Sequence, residues 1–506
     1  MKRIVSVLFL LGVAWLTPLA LCAQQISYSQ PQRNDYKNTE FEIIGRVGDN
    51  ILVYTSYRND YTISIYDNSM NLKQVVPMPF LPPGRVINVD FVAFPQKFLI
   101  IYQFQRRRWV YCYGAEMDAD CQLNGQLQFI DSTDMGPDLV KTKLYSVVVS
   151  EDKSKIMVYK INQGRRNSNI FYTFLMDGDL RLINNSRVVL PMEDRKDYLS
   201  NFKLSNFGDF IFDKVESGTR VSLDNAWIIR KPADQDTMIS QALDMQNKFL
   251  DQLRLKLDNQ DNRVYIVSFY YNQRRGDVQG LYFGKYDWVT SSFDQQKFVA
   301  FGESLKENAR TESTAKAAFD NYFLRQIILT GNGGMLMLAE SYYTASSASP
   351  WDRWDYLYGP GSFYPSYYYS PFSPWYYDPN SWNNDYNVRY YYDNVAVFCY
   401  DPDGNMQWSN FVRKNQFDDN SDALLSYQLM NTGNSLHILF NAPFRRSFML
   451  TDVKVSPDGS INQLPTLRDL DRGYQWMPKY GKQISSWQIV IPCIYRNYIC
   501  FAKVDY

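Results

Sequence analysis

The chain has 506 residues, and its 53 basic and 53 acidic side chains give a formal net charge of zero. This balance argues against nucleic acid as a default partner. The single histidine, His437, excludes metal sites built on paired histidines and argues against Ser-His-Asp or Cys-His catalysis. The composition therefore indicates no metal, no cofactor and no candidate catalytic residue, and His437 is expected to lie in the core. Enzyme chemistry would have to rest on carboxylates, tyrosine and arginine, as it does in glycosidases.

The amino terminus has the pattern of a secretory signal. Two basic residues precede an apolar run from Ile4 to Leu21, and small residues surround a cleavage site after Ala23. Cleavage after Ala23 leaves Gln24 as the first residue, and cleavage after Cys22 is the alternative. No later apolar run is as long as a membrane span. The sequence predicts a signal peptide over residues 1–23 and an exported chain in the periplasm, at the outer membrane or on the cell surface.

One unit recurs along the chain: an apolar strand, a turn that carries arginine, a second apolar strand and a turn that carries aspartate. A period of about 55 residues predicts repeats that stack into one body, so residues 24–506 are expected to form a single domain. The aspartate turns are spaced by 51, 59, 57, 53, 114 and 57 residues, and they lie at Asp67, Asp118, Asp177, Asp234, Asp287, Asp401 and Asp458.

The predicted strands are short runs rich in tyrosine and β-branched residues. A further apolar run precedes each pair of strands, as in Val86 to Phe94. Four antiparallel strands in each unit, repeated radially, predict an all-β fold, a β-propeller of four-stranded blades. We expect seven blades, with six or eight as alternatives. A final hairpin from Trp487 to Val504 either closes the ring or forms part of an eighth blade with Ile26 to Gln30.

The geometry of a blade sorts the charged turns onto two faces. Turns between the second and third strands lie on the face that carries the links between blades, and turns between the third and fourth strands lie on the other. The first set forms what we call the arginine face: Arg58, Arg106, Arg107, Arg108, Arg165, Arg166, Arg220, Arg274, Arg275, Arg445 and Arg446. Guanidinium groups bind carboxylates, sulfates and phosphates, so this face is the predicted binding surface, unless its turns are only solvated tips.

A Tyr-, Trp- and Pro-rich insertion over residues 343–391 leaves the sixth unit on the arginine face. Tyrosine and tryptophan are frequent on recognition surfaces because they offer a large amphipathic contact area. Three roles stay open: a plug over the mouth of the propeller, an arm that docks a protein, or a platform that stacks on sugars. The candidate binding residues are Trp351, Trp354, Tyr367, Tyr368, Trp375, Tyr376 and Trp382.

The cysteines suit an oxidising compartment. Cys493 and Cys500 flank a predicted two-residue turn, so they are expected to lie opposite each other within bridging range. Cys112 and Cys121 have the same even spacing. Disulfide bonds within these two hairpins are one interpretation, and small buried thiols are the other.

The segments Gly333 to Glu340, Asn394 to Val397, Asp403 to Trp408 and Ile489 to Cys493 resemble uncharacterised exported proteins of Bacteroidetes-type bacteria. Gln24, directly after the signal peptide, is typical of that group as well. The resemblance extends over about the last 190 residues of the chain. It implies an envelope or surface location and no established activity.

The sequence thus predicts a non-enzymatic binding or scaffold protein of the cell envelope. It is expected to dock an envelope or surface protein through its arginine-rich and aromatic face. The alternative is an acidic-glycan-binding protein or a propeller glycoside hydrolase. The hydrolase would need two carboxylates about 5–9 Å apart in a groove on the arginine face.

Overall fold

The computed structural model of the protein describes most of the chain. The described residues are 24–32, 35–140, 142–165, 167–192, 197–217, 221–274, 276–310, 317–346, 352–358, 376–377, 388–419, 421–444, 447–464 and 473–506. The predicted signal peptide lies outside them.

The described strands form eight antiparallel sheets, each of which is one blade of a β-propeller. Blade 1 contains Thr39–Val47, Asn50–Tyr57, Asp60–Tyr66 and Leu72–Pro77. Blade 2 contains Val86–Ala93, Lys97–Arg106, Trp109–Asp118 and Gln128–Asp134. Blade 3 contains Ser146–Val149, Lys155–Gln163, Ser168–Asp177 and Leu182–Pro191. Blade 4 contains Asp197–Leu204, Phe210–Glu216, Asn225–Lys231 and Ile239–Ala242.

The next three blades follow the same order from the inner to the outer strand. Blade 5 contains Phe249–Leu250, Arg254–Asp258, Arg263–Tyr271, Gly280–Asp287 and Ser292–Ala300. Blade 6 contains Tyr322–Leu329, Met335–Ser346, Val388–Tyr400, Met406–Val412 and Gln416–Asp419, and blade 7 contains Tyr427–Asn431, Leu436–Phe444, Ser447–Val455 and Ile461–Gln463.

Blade 8 is built from both ends of the chain, so the expected number of seven blades is wrong. The strands Tyr474–Trp476, Lys482–Ser485, Gln488–Tyr495 and Tyr498–Asp505 come from the carboxyl-terminal end, and Gln25–Tyr28 adds the outer strand. Gln25 pairs with Asp505 and Tyr28 pairs with Ala502. The linear repeat missed this blade because its third and fourth strands are not consecutive, and hence no aspartate turn joins them.

Helix is scarce among the described residues. The α-helices are Glu303–Ala309 and Arg353–Tyr358, and the 3₁₀-helices are Tyr36–Asn38 and Pro478–Tyr480. Neither α-helix of the described chain has the length and apolar character needed to cross a bilayer.

The hydrophobic core lies between adjacent blades. Between blades 1 and 2, for example, Ile44 and Leu52 pack with Phe98 and Ile100, and all four side chains are fully buried. Burying an aliphatic or aromatic side chain of this size contributes about 1.5–3 kcal/mol. These interfaces repeat around the ring, so the blades hold one another in a single body.

The insertion of blade 6 is shorter than predicted. Met335–Ser346 and Val388–Tyr400 remain paired beyond the body of the blade, with Tyr343 opposite Tyr391 and Ser346 opposite Val388. The insertion therefore spans residues 347–387 instead of 343–391. Tyrosines at its ends resembled the loop in composition, but they belong to a long two-stranded hairpin.

Candidate functional site

The arginine turns are tight, and their guanidinium groups are not needed to form them. In blade 1, Tyr57 pairs with Asp60, and the two residues between them, Arg58 and Asn59, have φ values of 50° and 68°. Two-residue hairpin turns with positive φ favour asparagine and glycine. Arginine is not favoured in this backbone conformation, so turn formation does not explain why arginine recurs at these positions.

Six of the predicted arginines lie among the described residues, and all six side chains are exposed: Arg58, Arg106, Arg107, Arg108, Arg165 and Arg274. Arg108 pairs with Asp134 at 2.9 Å, and Arg274 pairs with Asp224 at 3.0 Å. Arg58 lies over the ring of Tyr57. The other predicted arginines, Arg166, Arg220, Arg275, Arg445 and Arg446, lie outside the described residues.

Blade 8 adds an arginine turn to those predicted for this face. Tyr495 pairs with Tyr498, and Arg496 and Asn497 between them have φ values of 48° and 73°. The segment from Tyr495 to Asn497 has the same Tyr-Arg-Asn sequence as residues 57–59 of blade 1. This tripeptide was the signal that identifies Arg496 as a member of the arginine face.

The aspartate turns, in contrast, use their carboxylates to form the turn. Asp177 Oδ1 accepts hydrogen bonds from the backbone N–H groups of Asp179 and Arg181, both at 2.9 Å. Asp67 and Asp118 accept equivalent pairs of bonds from residues two and four positions further on. Aspartate at the start of a turn is favoured for this reason. Asp287, Asp401 and Asp458 likewise accept backbone N–H groups within their turns, whereas Asp234 accepts none from a described residue. Turn formation therefore explains the aspartate repeat at every position except Asp234.

The described parts of the insertion lie against the inner strands instead of extending into solvent. Trp354, in the helix Arg353–Tyr358, is only 6% exposed, and its ring lies 5.7 Å from that of Tyr198 in blade 4. Tyr376–Tyr377 pairs with Phe41 and Glu42 on the inner strand of blade 1. These parts occupy the position expected of a plug. Trp351, Tyr367, Tyr368, Trp375 and Trp382 lie outside the described residues, as does the side chain of Tyr376.

Arg353 fastens the short helix to the propeller. Its guanidinium binds both carboxylate oxygens of Asp251 in blade 5, with distances of 3.1 and 2.5 Å. It also donates to the carbonyl oxygens of Asp320 and Tyr322 and lies 4.0 Å from the ring centroid of Phe323. A bidentate pair of this kind is strong when it is shielded from water. The helix is therefore held firmly at the inner edge of blades 4 to 6.

Beside this helix lies a buried charged group that we call the Glu340 cluster, formed by Arg325, Glu340, Lys414 and Ser426. Glu340 is fully buried and contacts Lys414 Nζ at 2.8 Å, Arg325 Nε at 3.3 Å and the Ser426 hydroxyl at 2.8 Å. Burial lowers the pKa of Lys414, although Glu340 opposes the shift. The cluster joins blade 6 to blade 7 through the hydrogen bond from Ser426, and the Glu340 and Lys414 side chains within it have no access to water.

Asp393 adds a second carboxylate near the Glu340 cluster. It lies at a β-bulge in blade 6, is 3% exposed, and neither of its oxygens has a hydrogen-bond partner among the described residues. Burial raises its pKa to about 6, with Glu340 adding to the shift and Lys414 opposing it. Bulges often occur next to functional sites because they redirect a side chain.

The inner strands of blades 4, 5 and 6 carry three cations in succession, which we call the cationic wall: Lys203, Arg254 and Arg325. Burial, together with the neighbouring Arg254 and Lys256, lowers the pKa of Lys203 to about 8. Burial and Arg325 likewise lower the pKa of Arg254 to about 10. The sequence gives no signal of this wall, because its three members lie singly on strands that are otherwise ordinary.

His437 is buried, as predicted, but it belongs to a polar chain. Its Nε2 lies 3.2 Å from Ser435 Oγ, and its Nδ1 lies 3.0 Å from Asp452. This order resembles a catalytic triad, yet Ser435 Oγ also bonds to the Thr432 hydroxyl, and the ring of Tyr506 lies 4.5 Å from the imidazole. Asp452 further accepts a hydrogen bond from Gln24. This set of polar contacts therefore ties Gln24 and Tyr506 to blade 7.

The predicted disulfide pairs divide into two cases. Cys493 and Cys500 are directly opposite each other, as predicted, but both are buried free thiols. For Cys112 and Cys121 the disulfide interpretation is wrong, because Cys112 faces Gln103 and Asp131 on its neighbouring strands, and both cysteines are buried free thiols, as the other interpretation expects. Cys121 instead occupies the left-handed position of an aspartate turn, with φ of 59°. Among the described residues, no group of three His, Cys, Asp or Glu side chains is arranged to hold a metal ion.

No protein-family model matches the chain, and neither does any curated protein. Solved structures with a similar fold include a prolyl endopeptidase, with 8% identity, a TM-score of 0.41 and coverage of 93% of this chain. This chain spans about half of that enzyme, 55% of its length. The polysaccharide lyase Uly1 has 8% identity, a TM-score of 0.39 and coverage of 83% and 90% of the two chains. The β-propeller domain of the Trilobed protease from Pyrococcus furiosus has 10% identity, a TM-score of 0.36 and coverage of 87% and 95%.

Proposed function

We propose that this protein is an exported binding propeller that docks a protein partner of the cell envelope or surface on its arginine face. One observation carries the proposal: arginine recurs at exposed turns whose formation does not require it. The aspartates of the opposite face, apart from Asp234, recur because they cap their own turns. Arginine is therefore a better candidate than aspartate for a function shared by several blades, because turn formation does not account for it.

The neighbours of the arginines support the same surface. Trp109, directly after Arg108, is 42% exposed, and Tyr498, directly after the turn of Arg496, is 43% exposed. Arginine together with exposed tryptophan and tyrosine is the composition that dominates the energetics of protein–protein interfaces. The described parts of the insertion pack against the inner strands of blades 1 and 4, so the proposed contact surface is the ring of turns.

The proposal is tested by replacing Arg106, Arg107 and Arg108 with glutamine and measuring capture of partners by the immobilised chain from an envelope extract. A matched triple variant replaces basic residues outside the arginine face, at Lys73, Arg181 and Lys297. We expect the first variant to lose a specific partner that the wild type and the matched variant both retain. Higher salt should weaken capture, because exposed charges are screened.

Two results would contradict the proposal. The first is equal loss of capture in both triple variants, which would indicate general charge attraction. The second is selective binding of uronic or sialic glycans on a glycan array, lost in the Arg106, Arg107 and Arg108 variant, with no protein partner.

A further inference from the structure

The hairpin of blade 8 places Cys493 and Cys500 directly opposite each other on neighbouring strands. Tyr495 and Tyr498 close the two-residue turn, and the cysteines lie two pairs further from it. Directly opposite residues of an antiparallel sheet send their side chains to the same face. The two thiols, which are reduced in this structure, therefore lie side by side on one face of the sheet.

Backbone hydrogen bonds around the cysteines show which kind of strand pair they form. Pro492, beside Cys493, has no N–H group, and it lies opposite Phe501. The N–H of Phe501 donates to Ser29 Oγ at 2.9 Å, and its carbonyl oxygen accepts from the Ser29 N–H at 2.8 Å. That pair exchanges no ladder bonds, and the two kinds of pair alternate, so Cys493 and Cys500 form a hydrogen-bonded pair. The α carbons of such a pair lie about 5.5 Å apart, which is a usual spacing for a disulfide bond.

The surroundings of the pair are apolar. Both cysteine side chains are fully buried, and they belong to the hydrophobic cluster that contains Met430, Leu439 and Trp476. The Cys500 thiol donates to the carbonyl oxygen of Cys493 at 3.4 Å, so the two residues are already in contact. A disulfide bond at this place is shielded from soluble reductants, because exposed disulfides are the readily reduced ones.

Cys112 and Cys121 provide an internal comparison. Their side chains are almost as deeply buried, at 1% and 2% exposure. Cys112 lies opposite Gln103 and Asp131, whereas Cys121 lies in the aspartate turn of the same blade. Strand register, and not burial, therefore distinguishes the pair in blade 8 from the pair in blade 2.

We propose that Cys493 and Cys500 are oxidised to a disulfide bond that links the two strands of the blade 8 hairpin. The thiolate of one cysteine attacks an oxidant that itself carries a disulfide bond, which gives a mixed disulfide and releases one thiol. The thiolate of the other cysteine then attacks the protein sulfur of the mixed disulfide and releases the second thiol. The protein loses two electrons and two protons, and the oxidant takes up both as its disulfide becomes two thiols.

Burial determines when this exchange takes place. Buried cysteines are inert towards oxidants. The oxidation therefore precedes the packing of blade 8 against blade 7. Gln25–Tyr28 pairs with the strand that carries Cys500, so the linked hairpin is also the one that joins the two ends of the chain. Because a disulfide restricts the unfolded chain, the bond should stabilise the blade that closes the ring.

The test counts thiols in the chain that begins at Gln24, which contains five of the six cysteines. The reduced chain is refolded with oxidised and reduced glutathione, unfolded with an alkylating reagent and analysed by mass spectrometry. We expect three alkylated cysteines. Trypsin, which cleaves after Arg496, should release two peptides that remain joined through Cys493 and Cys500.

Matched variants separate this pair from the other cysteines. Cys112→Ser should keep the linked peptides, whereas Cys500→Ala should leave all four remaining cysteines alkylated. Reduction should lower the thermal unfolding midpoint of the oxidised wild type by a few degrees and leave that of the double variant Cys493→Ala, Cys500→Ala unchanged.

Three results would overturn the proposal. The first is alkylation of all five cysteines of the wild type after refolding with glutathione. The second is a disulfide bond between any other two cysteines. The third is an equal effect of reduction on the midpoints of the wild type and the double variant.

Discussion

The inside and the outside of this propeller use charge in different ways. On the outside, the arginine turns present exposed guanidinium groups, of which only some have an acidic neighbour. On the inside, the Glu340 cluster and the cationic wall hold charges that burial and close neighbours shift away from their ordinary pKa values. Interior charges should therefore govern stability, whereas exterior charges should govern encounters with other molecules.

The largest effect is expected from the Glu340 cluster. Replacing Glu340 with glutamine leaves Lys414 and Arg325 buried without their shared carboxylate, and removing one partner of a buried pair costs roughly 3–5 kcal/mol. The control is Glu151→Gln, which removes an ion pair with Lys256 whose glutamate side chain is 59% exposed and should cost about 0–1 kcal/mol. Urea unfolding measures both values. Equal losses of stability in the two variants would contradict the prediction that buried charges contribute more to stability than exposed charges do.

The next effect depends on pH and concerns Asp393. Its folded-state pKa of about 6 lies above the ordinary value of 3.8, so its ionisation opposes folding. The cost is absent below about pH 4, grows between pH 4 and 6, and is fully present above pH 6. Asp393→Asn should therefore exceed the wild type in stability by at most roughly 3 kcal/mol at pH 7.5. Urea unfolding at pH 4 and pH 7.5 measures this difference, and a difference independent of pH would contradict the burial of an unpaired carboxylate.

A smaller effect is expected at the aspartate turns. Asp177→Ala removes the acceptor of two backbone hydrogen bonds and should lower the free energy of unfolding by about 1–2 kcal/mol. Asp177→Asn keeps an acceptor oxygen at the same position and should lose less. Thermal or urea unfolding compares the two variants with the wild type. If alanine and asparagine cost the same, the carboxylate is not the group that holds the turn.

The smallest effect on stability is expected at the arginine turns. Arg106→Gln and Arg107→Gln should leave the unfolding midpoint unchanged, because neither side chain forms an ion pair with a described residue. The same substitutions should weaken partner capture, and lysine at both positions should restore it only in part, since lysine lacks the planar fork of arginine. A clear loss of stability in either glutamine variant would assign these arginines a structural role.

Features that depend on short segments follow from the sequence, whereas contacts between distant segments do not. The four-stranded blade, the position of each turn and the sorting of arginine and aspartate onto two faces follow from short segments, such as Tyr57 to Tyr61. The number of blades did not follow, because Gln25–Tyr28 completes a sheet whose other strands begin at Tyr474. The neighbour of Cys112 on the outer strand did not follow either. Cys112 lies opposite Asp131, and an aspartate turn and a loop separate the two strands in the sequence.

By itself, the sequence determined the class of fold, the polarity of the two faces and the arginine turns, because alternation of apolar residues and turn chemistry are local properties. Only the tertiary structure decided that eight blades close the ring, that the helix Arg353–Tyr358 packs over the inner strands, and that Lys203, Arg254 and Arg325 meet. Those three cations lie more than fifty residues apart from one to the next, so nothing in any single segment indicates that they share one wall.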